Sequence, residues 1–185
     1  MKPKLLLHVC CATCGAYVLE LLKPDYDITA YYYNPNIYPK EEYEKRISEV
    51  KQYCLENNLK FIEEKPDQDH WFELTKGHEK DPERGERCGI CYKMRLQKTA
   101  EYAKTNGFEI FGTDLSISPH KDAKKLNEIG EALEKTLGIK YLVSDFKKQD
   151  GFKKAMQISR EHDFYRQNYC GCIYSLKALK TPRML

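Results

Sequence analysis

Apolar positions along this chain fall into two alternating kinds of stretch. Short, nearly continuous runs rich in β-branched and aromatic residues occur at Lys4–Val9, Ile28–Tyr33, Leu59–Glu63, Phe108–Gly112 and Ile139–Val143. Runs of that length and composition predict buried strands. Between them, apolar residues recur at helical spacing. Val18, Leu19 and Leu22 predict a helix over Gly15–Lys23 that Pro24 closes, and Asn34-Pro35-Asn36 breaks the strand that follows. Pro39 opens a helix to about Asn57, with Tyr43, Ile47, Val50 and Cys54 as its apolar stripe. A small helix is expected around Asp69–Lys76, then a charged loop at Asp81–Arg87. Cys88–Asn106 reads as a long helix with Gly107 at its C′ position, and Asp122–Leu137 as another, followed by Gly138. From Asp145 the chain reads as helical, interrupted near Asn168–Gly171. Strands alternating with helices predict an α/β fold: a mostly parallel sheet flanked by helices, in a single domain over residues 1–185. In such sheets, binding sites form at the carboxyl ends of strands.

Composition narrows the class. At 185 residues, 41% hydrophobic and 32% charged, the chain is long enough for a real core and too apolar for disorder. No run approaches a membrane span, so no membrane partner is expected. The opening apolar run is too short for a signal peptide and leads into cysteines with no small-residue cleavage site, which argues for the cytoplasm. The net charge of +3 says little, but its distribution says more. From Asp145 onward, nine Lys and Arg stand against four Asp and Glu. A basic, helical C-terminal portion suits a phosphate backbone, although a solvated surface would read the same way.

Eight cysteines are many for a reducing compartment, where stable disulfides are rare. Cys54 lies on a helical apolar stripe and reads as core. The other seven form three groups: Cys10, Cys11 and Cys14 after the first strand, Cys88-x-x-Cys91 at a predicted helix start, and Cys170-x-Cys172 in the late break. Close spacing lets two sulfurs reach one metal centre. A helix N-terminus favours thiolates through its free N–H groups and dipole. Seven sulfurs exceed one four-ligand site, so a cluster plus a second metal, or a cluster plus redox thiols, fits better than one zinc; spacing alone does not separate zinc from iron–sulfur. Where a nucleotide-binding fold would carry a glycine-rich loop, this chain has Cys10-Cys11-Ala12-Thr13-Cys14-Gly15, and neither a phosphate loop nor G-x-G-x-x-G occurs.

Four segments resemble one family. His8-Val9-Cys10-Cys11-Ala12-Thr13-Cys14, then Glu83 to Leu96 around Cys88-Gly89-Ile90-Cys91, then Ser116-Ile117-Ser118-Pro119, and finally Tyr165 to Ser175 around Cys170-Gly171-Cys172 are similar to the motifs of QueH-type epoxyqueuosine reductases, in the same order. Thr13 and Asp114 depart from the residues such motifs lead one to expect. The resemblance implies a fold like the PP-loop and related adenine-nucleotide α-hydrolases, with cysteines in place of the phosphate loop. It implies reduction of the epoxide of epoxyqueuosine, at the wobble position of tRNA, to the alkene. It also implies a [4Fe–4S] cluster with an additional iron, no cobalamin, and an external electron donor.

On that reading Cys10, Cys88, Cys91 and one of Cys170 and Cys172 hold the cluster. Cys11, Cys14 and the other late cysteine surround the second iron, and Asp114 is a candidate carboxylate ligand or a loop acid. Protons would come from His120, Tyr165 or Tyr169. His8 is expected to be buried in the first strand, and the run Tyr31-Tyr32-Tyr33 to be packed. Arg84 and Arg87 would either order the loop before Cys88 or meet substrate. For tRNA, Arg160, Arg166, Lys177, Lys180 and Arg183 are the candidates, with Tyr165, Tyr169 and Tyr174 among them. A structural-zinc RNA-binding module is the competing reading; a sulfur-transfer thiol enzyme would need an ATP site for which the sequence has no motif.

Overall fold

The computed structural model describes residues 1–180, with the side chain of Lys180 left out of the description. Five strands form one sheet in the order β3-β2-β1-β4-β5: β1 (Lys4–His8), β2 (Asp27–Tyr32), β3 (Lys60–Glu63), β4 (Ile110–Thr113) and β5 (Lys140–Tyr141). Every pairing is parallel. The helices are α1 (Ala12–Leu22), α2 (Lys40–Glu56), α3 (Gln68–Leu74), α4 (Glu86–Thr105), α5 (Ala123–Leu137), α6 (Gly151–Glu161) and α7 (Ile173–Lys180). Among the described residues, none is long and apolar enough to cross a membrane.

Burial on both faces explains the unbroken apolar strands. Leu5 and Leu7 join a core with α1, α2 and α6, whereas Leu6 joins Phe111 and Tyr31 in a second core beneath α4 and α5. Tyr31, Tyr32 and Tyr33 are all buried, as expected of packed residues. Cys54 lies in the first core.

Some boundaries differ from the sequence reading, each for a local reason. α1 begins at Ala12, with Cys11 at its N-cap, so Cys14 lies inside the first turn. α4 begins at Glu86, which places Cys88 and Cys91 in its first two turns. β5 spans only Lys140–Tyr141, although the Leu142 amide still bonds the Phe111 carbonyl. The expected break near Asn168–Gly171 extends over 162–172, because its backbone is held by side chains of α2 rather than by a helix ladder.

The strand order reverses direction at β1 and β4. β2 and β3 extend to one side of β1, and β4 and β5 to the other. The carboxyl ends of β1 and β4 lie side by side, with His8 paired to Thr113. That crevice is the topological switch point, where open α/β sheets place their sites.

Candidate metal centre

Cys10 and Cys11 leave β1 directly into this crevice. The Cys10 amide donates to Asp114 Oδ2 at 3.0 Å, and Asp114 opens the short 3-10 turn Asp114–Ile117 after β4. One hydrogen bond therefore ties the two strand ends together. Asp114 is fully buried and its Oδ1 has no partner; burial, and then the neighbouring Cys10, push its carboxyl well above the usual range.

The late cysteines reach the same place along the irregular segment. Lys121 Nζ donates to Cys170 Sγ at 2.8 Å, and Gln167 Nε2 donates to Cys11 Sγ at 2.9 Å. The Ser175 amide, in the first turn of α7, lies 3.4 Å from Cys172 Sγ. A cavity of about 310 Å³ opens here, lined by Cys10, Cys14, Cys170, Lys121, His120 and Arg166 among others. Larger hollows of about 460 Å³ and 1060 Å³ lie elsewhere and hold no cysteine, and one of about 830 Å³ reaches Cys170 from the α7 side.

The thiols influence one another within the first group and between the second and third. Cys10 hydrogen-bonds Cys11, and Cys11 bonds Cys14; Cys88 and Cys91 both feel Cys170, and Cys170 accepts from Cys172. That bond from Cys172, and then the Lys121 ammonium, hold Cys170 well below the usual thiol range against its burial. The same bond and burial push Cys172 up. Burial raises Cys88 and Cys91, while Cys10 is raised by its bond to Cys11 and by burial. Among the described residues, no three His, Cys, Asp or Glu side chains are gathered tightly enough to hold a single metal ion.

Three buried cations surround the sulfurs, and none was singled out from the sequence. Lys121 is 7% exposed, and Arg46 and Arg95 are each 1% exposed. Lys121 pairs with Glu83 at 3.6 Å. Arg46 pairs with Glu42 at 2.6 Å and donates to the carbonyls of Tyr169 and Cys170. Arg95 donates to His8 Nε2 at 3.3 Å and to Asn34 Oδ1 at 2.5 Å. His8 is buried as expected, with Nδ1 2.9 Å from Thr113 Oγ1; burial, and then Arg95, keep the ring neutral. One signal was readable: Cys88, Cys91 and Arg95 are spaced three and four apart, along one face of α4.

The family model described as epoxyqueuosine reductase QueH matches residues 5–178. The chain belongs to this family. A QueH epoxyqueuosine reductase of Streptococcus pyogenes is 41% identical over 96% of this chain and 72% of its own length. Another, from Acinetobacter baylyi, is 41% identical over 98% and 84%. A Thermotoga maritima relative of the same name is 34% identical over 92% and 89%. Among solved structures, the U34-tRNA thiolase NcsA of Methanococcus maripaludis, solved with its [4Fe–4S] cluster, superposes with a TM-score of 0.60 at 15% identity. The match covers 94% of this chain and 61% of the thiolase. A predicted tRNA methyltransferase subunit of Methanocaldococcus jannaschii gives 0.60 at 11% identity, over 84% and 74% of the two chains. These two share the adenine-nucleotide α-hydrolase-like fold expected from the motifs.

For this QueH-family chain, several candidates are held in hydrogen bonds of their own. The Tyr169 hydroxyl donates to the Tyr38 carbonyl at 2.6 Å, and the Tyr165 hydroxyl to Glu42 at 3.0 Å. Both are committed to fixing the 162–172 segment, which leaves His120, exposed at the cavity rim, as the candidate proton donor in contact with solvent. Tyr174 lies between the Trp71 ring and the Arg87 guanidinium and is not presented for base stacking. Arg87 is buried and donates to the carbonyls of His78 and Glu79, and Arg84 to those of Pro119 and His120; both order the loop. Arg166 is exposed on the cavity wall, Arg160 is exposed on α6, and Lys177 is exposed on α7. The Lys180 side chain and Arg183 lie outside the described residues. Thr13 donates its hydroxyl to the Tyr165 carbonyl and so fastens α1 to the late segment.

Two predictions follow locally. Gly171 has φ of +111°, and a Cβ there would stand 3.1 Å from Arg46 Nη1. Gly171→Ala is expected to cost about 1–3 kcal/mol and to disturb the spacing of Cys170 and Cys172, read by thermal melting and bound iron. Asp81 accepts the Arg87 amide at the start of α4, and that bond holds its carboxyl below the usual range. A depressed carboxyl adds stability above its unfolded pKa and loses it as pH falls through the folded value. The melting difference between wild type and Asp81→Asn should therefore be present at neutral pH and vanish well below about pH 4.

Proposed function

We propose that this chain is an epoxyqueuosine reductase that converts epoxyqueuosine in tRNA to queuosine through a [4Fe–4S] centre held by its clustered cysteines. The carrying observation is that Cys10, Cys14 and Cys170 line one switch-point cavity, with Cys88 and Cys91 close enough to feel Cys170, in a chain of the QueH family. The donor set fits the group. It is all sulfur, seated at the starts of α1 and α4 and ringed by buried cations that suit an anionic thiolate centre. Thiolates on separate irons of a cube stand further apart than those on one ion, which is consistent with the absence of a single-ion cage among the described residues. Cys10, Cys88, Cys91 and one of Cys170 and Cys172 would hold the cluster. An additional iron would draw on the donors left over, Cys11, Cys14 and the other late cysteine, with Asp114 and its unpartnered Oδ1, and would have to pull them closer than they stand. The free cysteines suit a reducing cytoplasm.

Removing the epoxide oxygen as water consumes two electrons and two protons. The bound cluster supplies electrons one at a time, so an external donor must replenish it. The chain's own residues do the rest. The cavity wall, with Arg166 at its edge, admits a nucleoside displayed by an anticodon loop. His120 sits at the rim, where it can pass protons from solvent. Arg46, Glu42 and Glu49 hold the segment that carries Cys170 over the cavity. Among the described residues, the exposed Arg160, Arg166 and Lys177 are the candidate cations for the phosphate backbone of the partner.

The test is anaerobic purification with iron, sulfide and zinc analysis and EPR, followed by incubation with epoxyqueuosine-containing tRNA and a reductant. Queuosine in the digested nucleosides is expected. A colourless protein with one zinc, or unchanged epoxide beside an intact cluster, overturns the cofactor or the substrate respectively.

A further inference from the structure

We propose that Arg95 is the internal counter-ion of the thiolate centre and makes its one-electron reduction easier. The inference rests on the iron–sulfur reading above. Of the three buried cations beside the sulfurs, Arg46 has Glu42 and Lys121 has Glu83 within ion-pair distance. Among the described residues, Arg95, 1% exposed, has no carboxylate within that distance; it bonds the His8 ring, the Asn34 amide and Cys10. Asp114 lies close enough to feel its charge, but its Oδ2 accepts from the Cys10 amide and, among the described residues, it makes no ion pair with Arg95.

A guanidinium stays charged in proteins, and burying one without a counter-ion is costly. The anions available to offset Arg95 are the sulfurs of Cys10, Cys91 and Cys170, each of which interacts with it electrostatically. Cys91 lies one helical turn before Arg95 on α4, so the helix itself fixes the guanidinium behind the thiol. A four-thiolate cluster is an anion, and reduction adds one more negative charge. A fixed cation in a low-dielectric wall favours that added charge and raises the reduction potential. Arg95 is thus a positioning residue: it acts on the centre and does not touch substrate.

The test uses the anaerobically loaded protein titrated with a viologen mediator and dithionite, with the reduced fraction followed by EPR. In Arg95→Gln, the reduced-to-oxidised ratio at the wild-type midpoint is expected to fall at least tenfold, equivalent to about 59 mV for one electron. Arg95→Lys keeps the charge and is expected to stay within threefold. Asn34→Asp places a carboxylate on the atom that Arg95 already bonds and is expected to lower the ratio in the same direction with Arg95 intact. If Arg95→Gln does not fold, Asn34→Asp decides. A loaded Arg95→Gln protein that titrates within twofold of wild type, or a loaded Asn34→Asp protein that does so where Arg95→Gln does not fold, overturns the proposal. A wild-type protein that takes up no cluster overturns the functional reading instead, and the two failures are told apart by iron and sulfide content.

Discussion

Replacing Cys91 with serine is expected to abolish reduction of epoxyqueuosine and to drop iron and sulfide to background, while the protein remains folded. Cys91 is 8% exposed and faces the second core, so the substitution changes one buried atom. Serine is nearly isosteric, and its hydroxyl is a poor ligand for iron in a sulfur-bound cluster. Cys54→Ser is the matched control. Cys54 is also buried, belongs to the other core and does not line the cavity, and should leave iron content unchanged at a modest cost in stability. Anaerobic iron and sulfide assays with circular dichroism separate these outcomes. A Cys91→Ser protein with full cluster content and turnover would remove Cys91 from the centre.

Glu42→Ala is the second large effect. Glu42 neutralises Arg46 inside the protein and accepts the Tyr165 hydroxyl. Removing the carboxylate strands a buried guanidinium, which costs about 3–5 kcal/mol, or roughly 6–20 °C in melting temperature for a chain of this size. The loss should not be uniform. Arg46 is also the donor that holds the Tyr169 and Cys170 carbonyls, so the 162–172 segment should loosen before the sheet does. Hydrogen exchange is the direct measurement: amides of that segment should exchange faster while those of β1 and β4 stay protected. A uniform loss of protection would mean that the pair supports the fold and not the segment in particular.

The sheet was legible because its signal is coarse. Leu5-Leu6-Leu7 and Tyr31-Tyr32-Tyr33 are apolar without alternation, and only a strand covered on both faces wants that pattern. The cysteines were legible as groups because close spacing along the chain needs no fold to interpret. The cations were not. Arg46, Arg95 and Lys121 look like any charged residue in a chain that is 32% charged, and only the topology turns them inward. Tyr165 and Tyr169 look like free hydroxyls in sequence, and only the fold shows them spent on Glu42 and the Tyr38 carbonyl. What could not be read was which polar groups would already be taken.

The convergence of Cys10, Cys91 and Cys170 has a mechanical consequence. These residues are separated by most of the chain, so a centre ligated by all three would staple the first strand, the central helix and the late segment together. By analogy with a covalent cross-link, closing loops of this size restricts the unfolded chain by on the order of 4 kcal/mol each. Oxidative loss of such a centre would then undo the staple, and the protein would become digestible at the segment around Cys170 before anything else came apart.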